Sequence, residues 1–438
     1  MIGKLGQGGY ELVPEPADAG VVVINTCAFI DAAKAESTDT ILAHATQKKP
    51  GQQLIVAGCL SQRFGEELRS LVPEIDGVVG TGAYASIVEV LDEARAGRAP
   101  VRLDFEPEPE HDFLPRLITT PRATAYLKVA EGCDHPCTFC IIPQLRGKFR
   151  SRSRESILLE ARALARAGTK ELILIAQDTS MYGRDRGTRR GGLAALLADL
   201  DAIPGLEWIR LLYLYPATVD SELIDAMATL PKVCKYIDMP LQHAHPEVLR
   251  AMLRPASGER YLEILAEFRR RIPGLTMRST FIVGFPGETE EHVDYLQAWI
   301  ARAELDRVGF FTYSREEGTP AALLGARVPD KVKRNRLLRL REAQRHASAA
   351  ARAKRVGRVE SVLVEDYRAL RRSDPLRGAL GASHAWTGRS MGEAPGVDGG
   401  VYFTGEASVG EFARVTLGGA TAFDFYGSLA PAPQLAGV

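Results

Sequence analysis

Short apolar runs alternate with longer amphipathic stretches along the first hundred residues. The runs have the length and composition of buried strands, and the stretches have helical spacing. Strands are expected at 21–25, 53–57 and 78–79, and helices at 29–47, 61–72 and 84–96. Because strands and helices alternate, the pattern predicts a parallel, doubly wound α/β sheet.

A second alternating series begins after residue 121 and has six strands. Strands are expected at 125–129, 171–176, 209–214, 236–241, 275–283 and 307–313, and helices at 153–167, 193–202, 221–229, from 246 onward and at 290–302. Six strands that are each followed by helix predict a partial (βα)6 barrel. Beyond residue 358 the pattern changes to short strands separated by glycine turns, which predicts a small antiparallel β-barrel. Its strands are expected at 359–364, 385–388, 401–404, 412–417 and 422–426, with a polar insertion at 371–383.

These patterns divide the chain into three predicted domains of an α/β protein. Residues 1–98 form the N-terminal domain, 122–357 form the barrel with a trailing helix, and 358–431 form the C-terminal barrel. The segment 99–121 is rich in proline and is predicted to be a linker.

Composition excludes several classes of protein. The chain has 438 residues, a net charge of zero, 45% hydrophobic residues and 25% charged residues, which is typical of a globular protein rather than a disordered one. No apolar run approaches the roughly 20 residues of a membrane span, and no secretory signal is visible, so we expect a cytoplasmic protein with no membrane partner. Six cysteines are too few for a disulfide framework and indicate metal binding or catalysis.

Three of these cysteines, Cys133, Cys137 and Cys140, form a C-x3-C-x2-C run directly after a predicted strand. Three thiolates on one short loop can bind three irons of a 4Fe–4S cluster and leave the fourth iron open. A structural zinc site is the alternative, but zinc requires a fourth ligand, and His135 is badly placed within the loop to supply it.

Cys27 and Cys59 each follow a predicted strand of the first sheet by two residues. Carboxyl ends of parallel strands meet at one edge of such a sheet, where these folds bind ligands. We therefore expect both thiols at that edge. Cys234 stands alone in a predicted loop-to-strand segment and is interpreted as a small buried hydrophobic residue.

The cysteine run at the mouth of a six-strand βα barrel resembles the radical S-adenosylmethionine (SAM) superfamily. Within it, the whole chain is similar to the methylthiotransferase family, and most closely to the branch that modifies an aspartate of ribosomal protein S-twelve. The likeness rests on Asn25-Thr26-Cys27, Gly58-Cys59, Arg146-Gly147, Gln177-Asp178-Thr179-Ser180, the segments 238–243 and 278–289, Gly388-Arg389-Ser390 and Val397-Asp398-Gly399.

The resemblance implies a transferase that adds a methylthio group to the β-carbon of that aspartate. It implies SAM and two 4Fe–4S clusters: a radical cluster on Cys133, Cys137 and Cys140, and an auxiliary cluster on Cys27 and Cys59. The C-terminal barrel would be a TRAM-like domain. Expected partners are S-twelve or the small ribosomal subunit and an electron donor such as flavodoxin or ferredoxin.

Five further residues are assigned to the cofactor, and no catalytic side chain is predicted beyond the clusters. The cofactor-binding residues are expected to be Phe139, Gln177, Asp178, Arg278 and Gly284. For Arg278, a structural ion pair is an equally good explanation. For Gly284, a strand-to-helix turn that only packs tightly is the alternative.

The start of the chain leaves one alternative open. In the family, a first strand carries a third auxiliary cysteine, and here the sequence begins inside the helix that follows, at about residues 3–10. We therefore expect the first strand and the third ligand to be missing through a misplaced start or a truncation, and the auxiliary cluster to bind poorly. A truncated chain that binds its partner without sulfur transfer is the corresponding alternative function.

The net charge of the C-terminal segment helps to distinguish a protein substrate from a tRNA substrate. Residues 384–438 contain two arginines, no lysine and five acidic residues, a net charge of −3, whereas an RNA-binding module has a basic face. This argues against a tRNA substrate, and a tRNA adenosine methylthiotransferase is the alternative. The predicted helix at 330–357 carries ten basic residues against two acidic ones, and it is either a solvated face or a contact with nucleic acid.

Overall fold

The computed structural model describes residues 1–103, 116–255 and 257–431. The chain forms two compact units, and each is built from three separate segments. The first unit comprises Met1–Ile118, Ala130–Glu160 and Ser314–Leu324. The second comprises Thr119–Val129, Ala161–Tyr313 and Gly325–Val438.

The helices and strands follow in chain order. The strands are β1 Val21–Thr26, β2 Gln53–Gly58, β3 Gly77–Val79, β4 Val101–Arg102, β5 Thr124–Lys128, β6 Ala130–Glu131, β7 Arg150–Ser151, β8 Glu171–Ile175, β9 Trp208–Leu211, β10 Tyr236–Asp238, β11 Thr276–Val283, β12 Arg307–Thr312, β13 Val359–Ala369, β14 His384–Arg389, β15 Val401–Thr404, β16 Phe412–Ala420 and β17 Phe425–Leu429. The helices are α1 Ile2–Gln7, α2 Asp31–Thr46, α3 Cys59–Leu71, α4 Ile87–Arg95, α5 Ile142–Arg146, α6 Arg154–Arg166, α7 Gly192–Asp201, α8 Ser221–Thr229, α9 Pro246–Ala251, α10 Gly258–Arg271, α11 Glu290–Ala303, α12 Asp330–Ala353 and α13 Pro375–Leu380.

A four-stranded parallel sheet with the order β1-β2-β3-β4 forms the centre of the first unit. Its strands are apolar because both faces are covered, and Leu54, Ile55 and Val56 of β2 are almost fully buried. The predicted α/β sheet is confirmed. Strand β4 lies inside the segment predicted as a linker, because a pair of residues is too short to show a periodicity and is fixed by pairing with β3.

Six parallel strands form the barrel wall of the second unit, in two sheets with the orders β5-β8-β9 and β10-β11-β12. A bridge between Ile209 and Val233 connects them, which confirms the predicted partial barrel. Two strands end three residues earlier than predicted. Strand β9 ends before Tyr213, which has a left-handed φ of 61°, and β10 ends before Pro240, which has no N–H for the ladder.

The C-terminal strands of the second unit close into a barrel with the order β13-β14-β15-β17-β16. All neighbouring strands are antiparallel except β15 and β17, which pair in parallel. The expectation of a wholly antiparallel barrel was wrong on this point, because a closed ring with an odd number of strands cannot alternate direction throughout. Helix α13 lies within the predicted polar insertion. Among the helices of the described residues, none combines the length and the apolar character of a membrane span.

Candidate functional site

The loop that carries Cys133, Cys137 and Cys140 leaves β6 and leads into α5 in the first unit. Strands β6 and β7 pair antiparallel at its base, and the Cys133 amide donates to the Gly147 carbonyl at 3.1 Å. All three cysteines are half-buried. Gly132 has a left-handed φ of 82°, and a Cβ there would overlap the Lys148 backbone, so the loop requires glycine at this turn.

Helix α5 fixes the cysteine loop to the first sheet. Its residue Leu145, together with Ile141 just before it, is buried in the same hydrophobic cluster as Ile24 and Leu60. In addition, the Thr81 hydroxyl donates to the Leu145 carbonyl at 2.7 Å. The loop is therefore part of the same packed body as the parallel sheet.

Cys27 and Cys59 lie where the sequence predicts them, at the carboxyl edge of that sheet. Thr26 and Gly58 are register partners at the ends of β1 and β2, and each cysteine follows its partner directly. Cys27 is exposed and Cys59 is buried. Gly58 has a φ of 104°, and a Cβ there would lie 2.5 Å from the Thr26 carbonyl oxygen, so glycine is needed where the two strand ends approach.

Arg146, at the end of α5, connects the two sets of cysteines and was given no role by sequence reasoning. Its Nη2 donates to the Cys59 sulfur at 3.3 Å, and its Nη1 pairs with Glu131 at 3.1 Å. Glu131 lies two residues before Cys133. Burial acts to lower the pKa of Arg146, but Glu131 and Cys59 outweigh it and raise the pKa. The sequence shows the motif Arg146-Gly147 but not the contact with Cys59, because Cys59 lies 87 residues from Arg146.

The segment Ser314–Leu324 also belongs to the first unit and contacts α2, α3 and the cysteine loop. Glu316 is buried and accepts from Lys34 of α2 at 2.8 Å and from Arg63 of α3 at 2.7 Å. Helix α3 begins at Cys59, and α2 begins four residues after Cys27. On the cysteine loop, the Thr138 carbonyl accepts from the Ala321 amide at 2.9 Å. Sequence reasoning missed Glu316 because its partners lie more than 250 residues away.

The donor chemistry of the first unit fits iron–sulfur clusters. All six cysteines lie within the described residues, and none forms a disulfide there. Thiolates are the protein ligands of 4Fe–4S clusters, and three of them on one loop leave one iron open. Cys133, Cys137 and Cys140 would hold the radical cluster, and binding of a second cluster by Cys27 and Cys59 stays a prediction.

The residues assigned to the cofactor divide between the units. Phe139 is half-buried on the cysteine loop of the first unit, and Gln177 is half-buried directly after β8 in the second. Asp178 is buried, and both its carboxylate oxygens are engaged: one accepts from the Ser180 amide at 2.9 Å, the other from the Thr218 hydroxyl at 3.0 Å. The Asp178 carboxylate therefore shapes the loop after β8.

Arg278 of β11 forms an ion pair with Asp238 of the neighbouring strand β10, at 2.7 Å. Burial raises the pKa of Asp238, although the Arg278 guanidinium acts in the opposite direction. Arg278 also lies 3.8 Å from Asp398, whose other oxygen accepts from the Tyr236 hydroxyl at 2.8 Å. The structural ion pair that the sequence left open is present, and cofactor binding by Arg278 stays a prediction.

Gly284 directly follows β11 and has a left-handed φ of 79°. Its amide donates to both carboxylate oxygens of Glu288, at 2.9 and 3.0 Å. A Cβ at this position would overlap the side chain of Lys333 from α12. Packing alone thus requires glycine here, and contact with a cofactor stays a prediction.

Residues 388–399, which carry part of the family resemblance, form buried ion pairs that link separate segments of the second unit. Arg389 pairs with Glu171 of β8 at 2.6 Å, and Glu393 pairs with Arg355 at 2.9 Å and Arg307 at 2.7 Å. Burial acts to raise the pKa of Glu171 and of Glu393, but the arginines hold each pKa at about 2. Both carboxylates therefore stay charged.

Two other groups of the second unit are structural. Cys234 is buried in an apolar cluster, as expected, and burial raises its pKa to about 11. His245, Glu247 and His292 bring possible metal ligands together. However, the Nδ1 atoms of the two histidines accept backbone N–H groups at 3.3 and 3.2 Å, so the neutral rings carry their proton on Nε2 and act as helix caps.

Comparison with known proteins identifies the class. Residues 127–300 match the Radical SAM superfamily, residues 1–80 the Uncharacterized protein family UPF0004 and residues 356–429 the TRAM domain. The radical SAM methyltransferase TsrM from Kitasatospora setae has a similar fold, with a TM-score of 0.54 and 16% identity over 69% of this chain and 66% of that one. The fold and the cysteine loop thus define a radical SAM enzyme.

Curated relatives narrow the class to a family. The chain is 45% identical to the ribosomal protein uS12 methylthiotransferase RimO of Pelotomaculum thermopropionicum over 98% of this chain and 94% of that protein. It is 43% identical to the RimO of Desulfitobacterium hafniense over 96% and 92%. The RimO of Geobacter sulfurreducens is 42% identical over 98% and 94%. The chain belongs to the RimO family of radical SAM methylthiotransferases, which favours a protein substrate over the tRNA alternative.

Proposed function

We propose that this chain adds a methylthio group to the β-carbon of an aspartate in ribosomal protein uS12, the small-subunit protein that the sequence resemblance implies. The proposal rests on the RimO relatives, which carry the uS12 name at 42–45% identity over nearly the whole chain. When bound, the radical cluster supplies the electron that cleaves SAM, so that a hydrogen atom can be removed from an unactivated carbon.

One observation supports the proposal that the site holds two clusters, namely the hydrogen bond from Arg146 to the Cys59 sulfur. Arg146 belongs to the helix that follows the radical loop, and Cys59 belongs to the sheet edge. The arginine, held by Glu131, gives the Cys59 sulfur a cationic neighbour whose position is itself fixed. We infer that Cys27 and Cys59 bind an auxiliary cluster beside the radical one.

The remaining assignments follow from this function. Each of the five residues predicted to bind the cofactor is proposed to contact SAM: Phe139, Gln177, Asp178, Arg278 and Gly284. The electron donor is proposed to be a flavodoxin or a ferredoxin, and the location the cytoplasm, where a ribosomal substrate is found. The functional domains are proposed to be 1–98, 122–357 and 358–431, with the linker at 99–121.

Iron analysis of cysteine variants tests the cluster assignment. After anaerobic reconstitution, the triple variant at Cys133, Cys137 and Cys140 is expected to lose roughly four irons per chain. The double variant Cys27→Ser/Cys59→Ser is expected to lose a smaller amount of iron, because two thiols bind the auxiliary cluster poorly. Cys234→Ala is the matched control, because this cysteine is buried in the apolar core and should bind none. Unchanged iron in the double variant would overturn the auxiliary site.

Mass spectrometry tests the substrate. Incubation of the reconstituted chain with SAM, reductant and uS12 is expected to add about 46 Da, the mass of SCH3 replacing H. The Cys133→Ser variant should add nothing. A methylthio group found on tRNA nucleosides, with none on uS12, would contradict the proposal.

A further inference from the structure

One face of α12 carries an uninterrupted row of exposed side chains. The row follows helical spacing of three and four residues, so its members lie along a single stripe about 21 Å long. It consists of Lys331, Arg334, Leu338, Arg341 and Arg345, which we call the basic stripe. Leu338 is 63% exposed, so the stripe is open to solvent even at its apolar position.

Most cations of the basic stripe are not neutralised within the protein. Elsewhere on this helix, charges are paired: Lys333 with Asp330, Arg336 with Glu288 and Arg339 with Asp294. Arg345 pairs with Glu342. In contrast, Lys331, Arg334 and Arg341 have no ion pair or hydrogen bond with any of the described residues. A helix that pairs its other charges leaves these three available to a partner.

The stripe leads into a groove at the C-terminal end of α12. Ala349 and Ala353 continue the spacing, and with Thr421 and its neighbours on the turn before β17 they line a cavity of about 340 Å³. Arg345 and His346 also line this cavity. Phe423, on the same turn, is 67% exposed. A linear row of cations beside a groove with an exposed aromatic ring is typical of surfaces that follow a single nucleic-acid strand.

We propose that the basic stripe and this groove bind the ribosomal RNA strand next to uS12 on the small subunit. This inference rests on the proposed function, because the enzyme meets this RNA strand only if its substrate is uS12. Phosphates would pair with Lys331, Arg334 and Arg341, and a base would stack on Phe423. The preferred substrate is then uS12 within the ribosomal particle rather than the isolated protein.

The test compares two forms of the substrate. Affinity of the reconstituted enzyme is measured for small ribosomal subunits and for isolated uS12, each across a salt series. In the triple variant Lys331→Gln/Arg334→Gln/Arg341→Gln, we expect affinity for the subunit to fall roughly tenfold or more, and the salt slope to shrink by about three. Affinity and methylthio transfer for isolated uS12 should stay unchanged, which separates this inference from the proposed function.

A control variant removes the same charge elsewhere in the second unit, from exposed arginines of other helices. It is Arg162→Gln/Arg166→Gln/Arg250→Gln. Equal losses in both triple variants would show that only net charge matters and would overturn the inference. An unchanged salt slope for the stripe variant would do the same. Slower reduction by flavodoxin, with normal subunit binding, would assign the stripe to the electron donor instead. Phe423→Ala should weaken subunit binding without changing the salt slope.

Discussion

Replacement of Gly284 by alanine should destabilise the protein through packing in its second unit. Two effects add. A left-handed φ costs an L-residue about 1–2 kcal/mol, and overpacking against the Lys333 side chain costs about 1–3 kcal/mol. The free energy of unfolding of Gly284→Ala should therefore fall by about 2–5 kcal/mol, which urea titration followed by circular dichroism can measure.

The variant Lys333→Ala separates the two effects. It removes the crowding side chain and gives up a partly exposed pair with Asp330, a hydrogen bond to the Tyr313 carbonyl at 3.3 Å and a contact with the Tyr313 ring. The stability of this single variant is measured alongside, so that its own cost can be subtracted. In the double variant, about 1–3 kcal/mol of the Gly284→Ala loss should return, because only the φ penalty remains.

Affinity for SAM, measured by anaerobic equilibrium dialysis on the same variants, shows whether Gly284 also touches the cofactor. A methyl group that blocks the cofactor stays in place in the double variant, so the affinity would remain low although stability recovers. No recovery of stability would refute the reasoning, because the clash with Lys333 would then not exist.

Two further predictions concern buried carboxylates. Glu316→Gln removes the negative charge that Lys34 and Arg63 share. We expect the variant to bind less iron at Cys27 and Cys59 and to keep most of the iron on the radical loop. An equal loss of iron from both sites would contradict this prediction. The free energy of unfolding should fall as the pH drops from about 4.5 toward 2, because folding lowers the pKa of Glu393 from 4.5 to about 2. The ionised carboxylate stabilises the folded state fully above pH 4.5, and this stabilisation is lost as the pH approaches 2. Urea titrations between pH 2 and pH 6 check this, and Arg355→Met should make the fall shallower.

Local patterns predicted most of the fold because each element repeats its own signal. Helix α8 and strand β15 begin and end where the periodicity indicates. Strand β4 was not predictable, since two residues carry no period and the pairing with β3 defines them. Pro240 and Tyr213 shortened their strands for backbone reasons that an apolar run does not reveal.

The candidate site was predictable to the extent that its residues are neighbours in sequence. The spacing of Cys133, Cys137 and Cys140 is visible directly, and Cys27 and Cys59 follow from the rule for parallel sheet edges. Arg146 and Glu316 were not predictable, because each acts on partners that only the folded chain brings near. For Gly284 the sequence indicated a special turn, but the reason, a lysine from α12, lies 49 residues further along the chain.

The first unit is built from three separate segments of the chain, so it cannot be completed until residues 314–324 have been synthesised. Lys34 leaves the ribosome early, and its partner Glu316 follows 282 residues later. At usual rates of synthesis this delay is roughly 15–60 s. Throughout that time the sheet edge has its cysteines but lacks the segment that ties α2 and α3 together. If Cys27 and Cys59 bind a cluster as proposed, the complete surroundings of that cluster would form only near the end of translation.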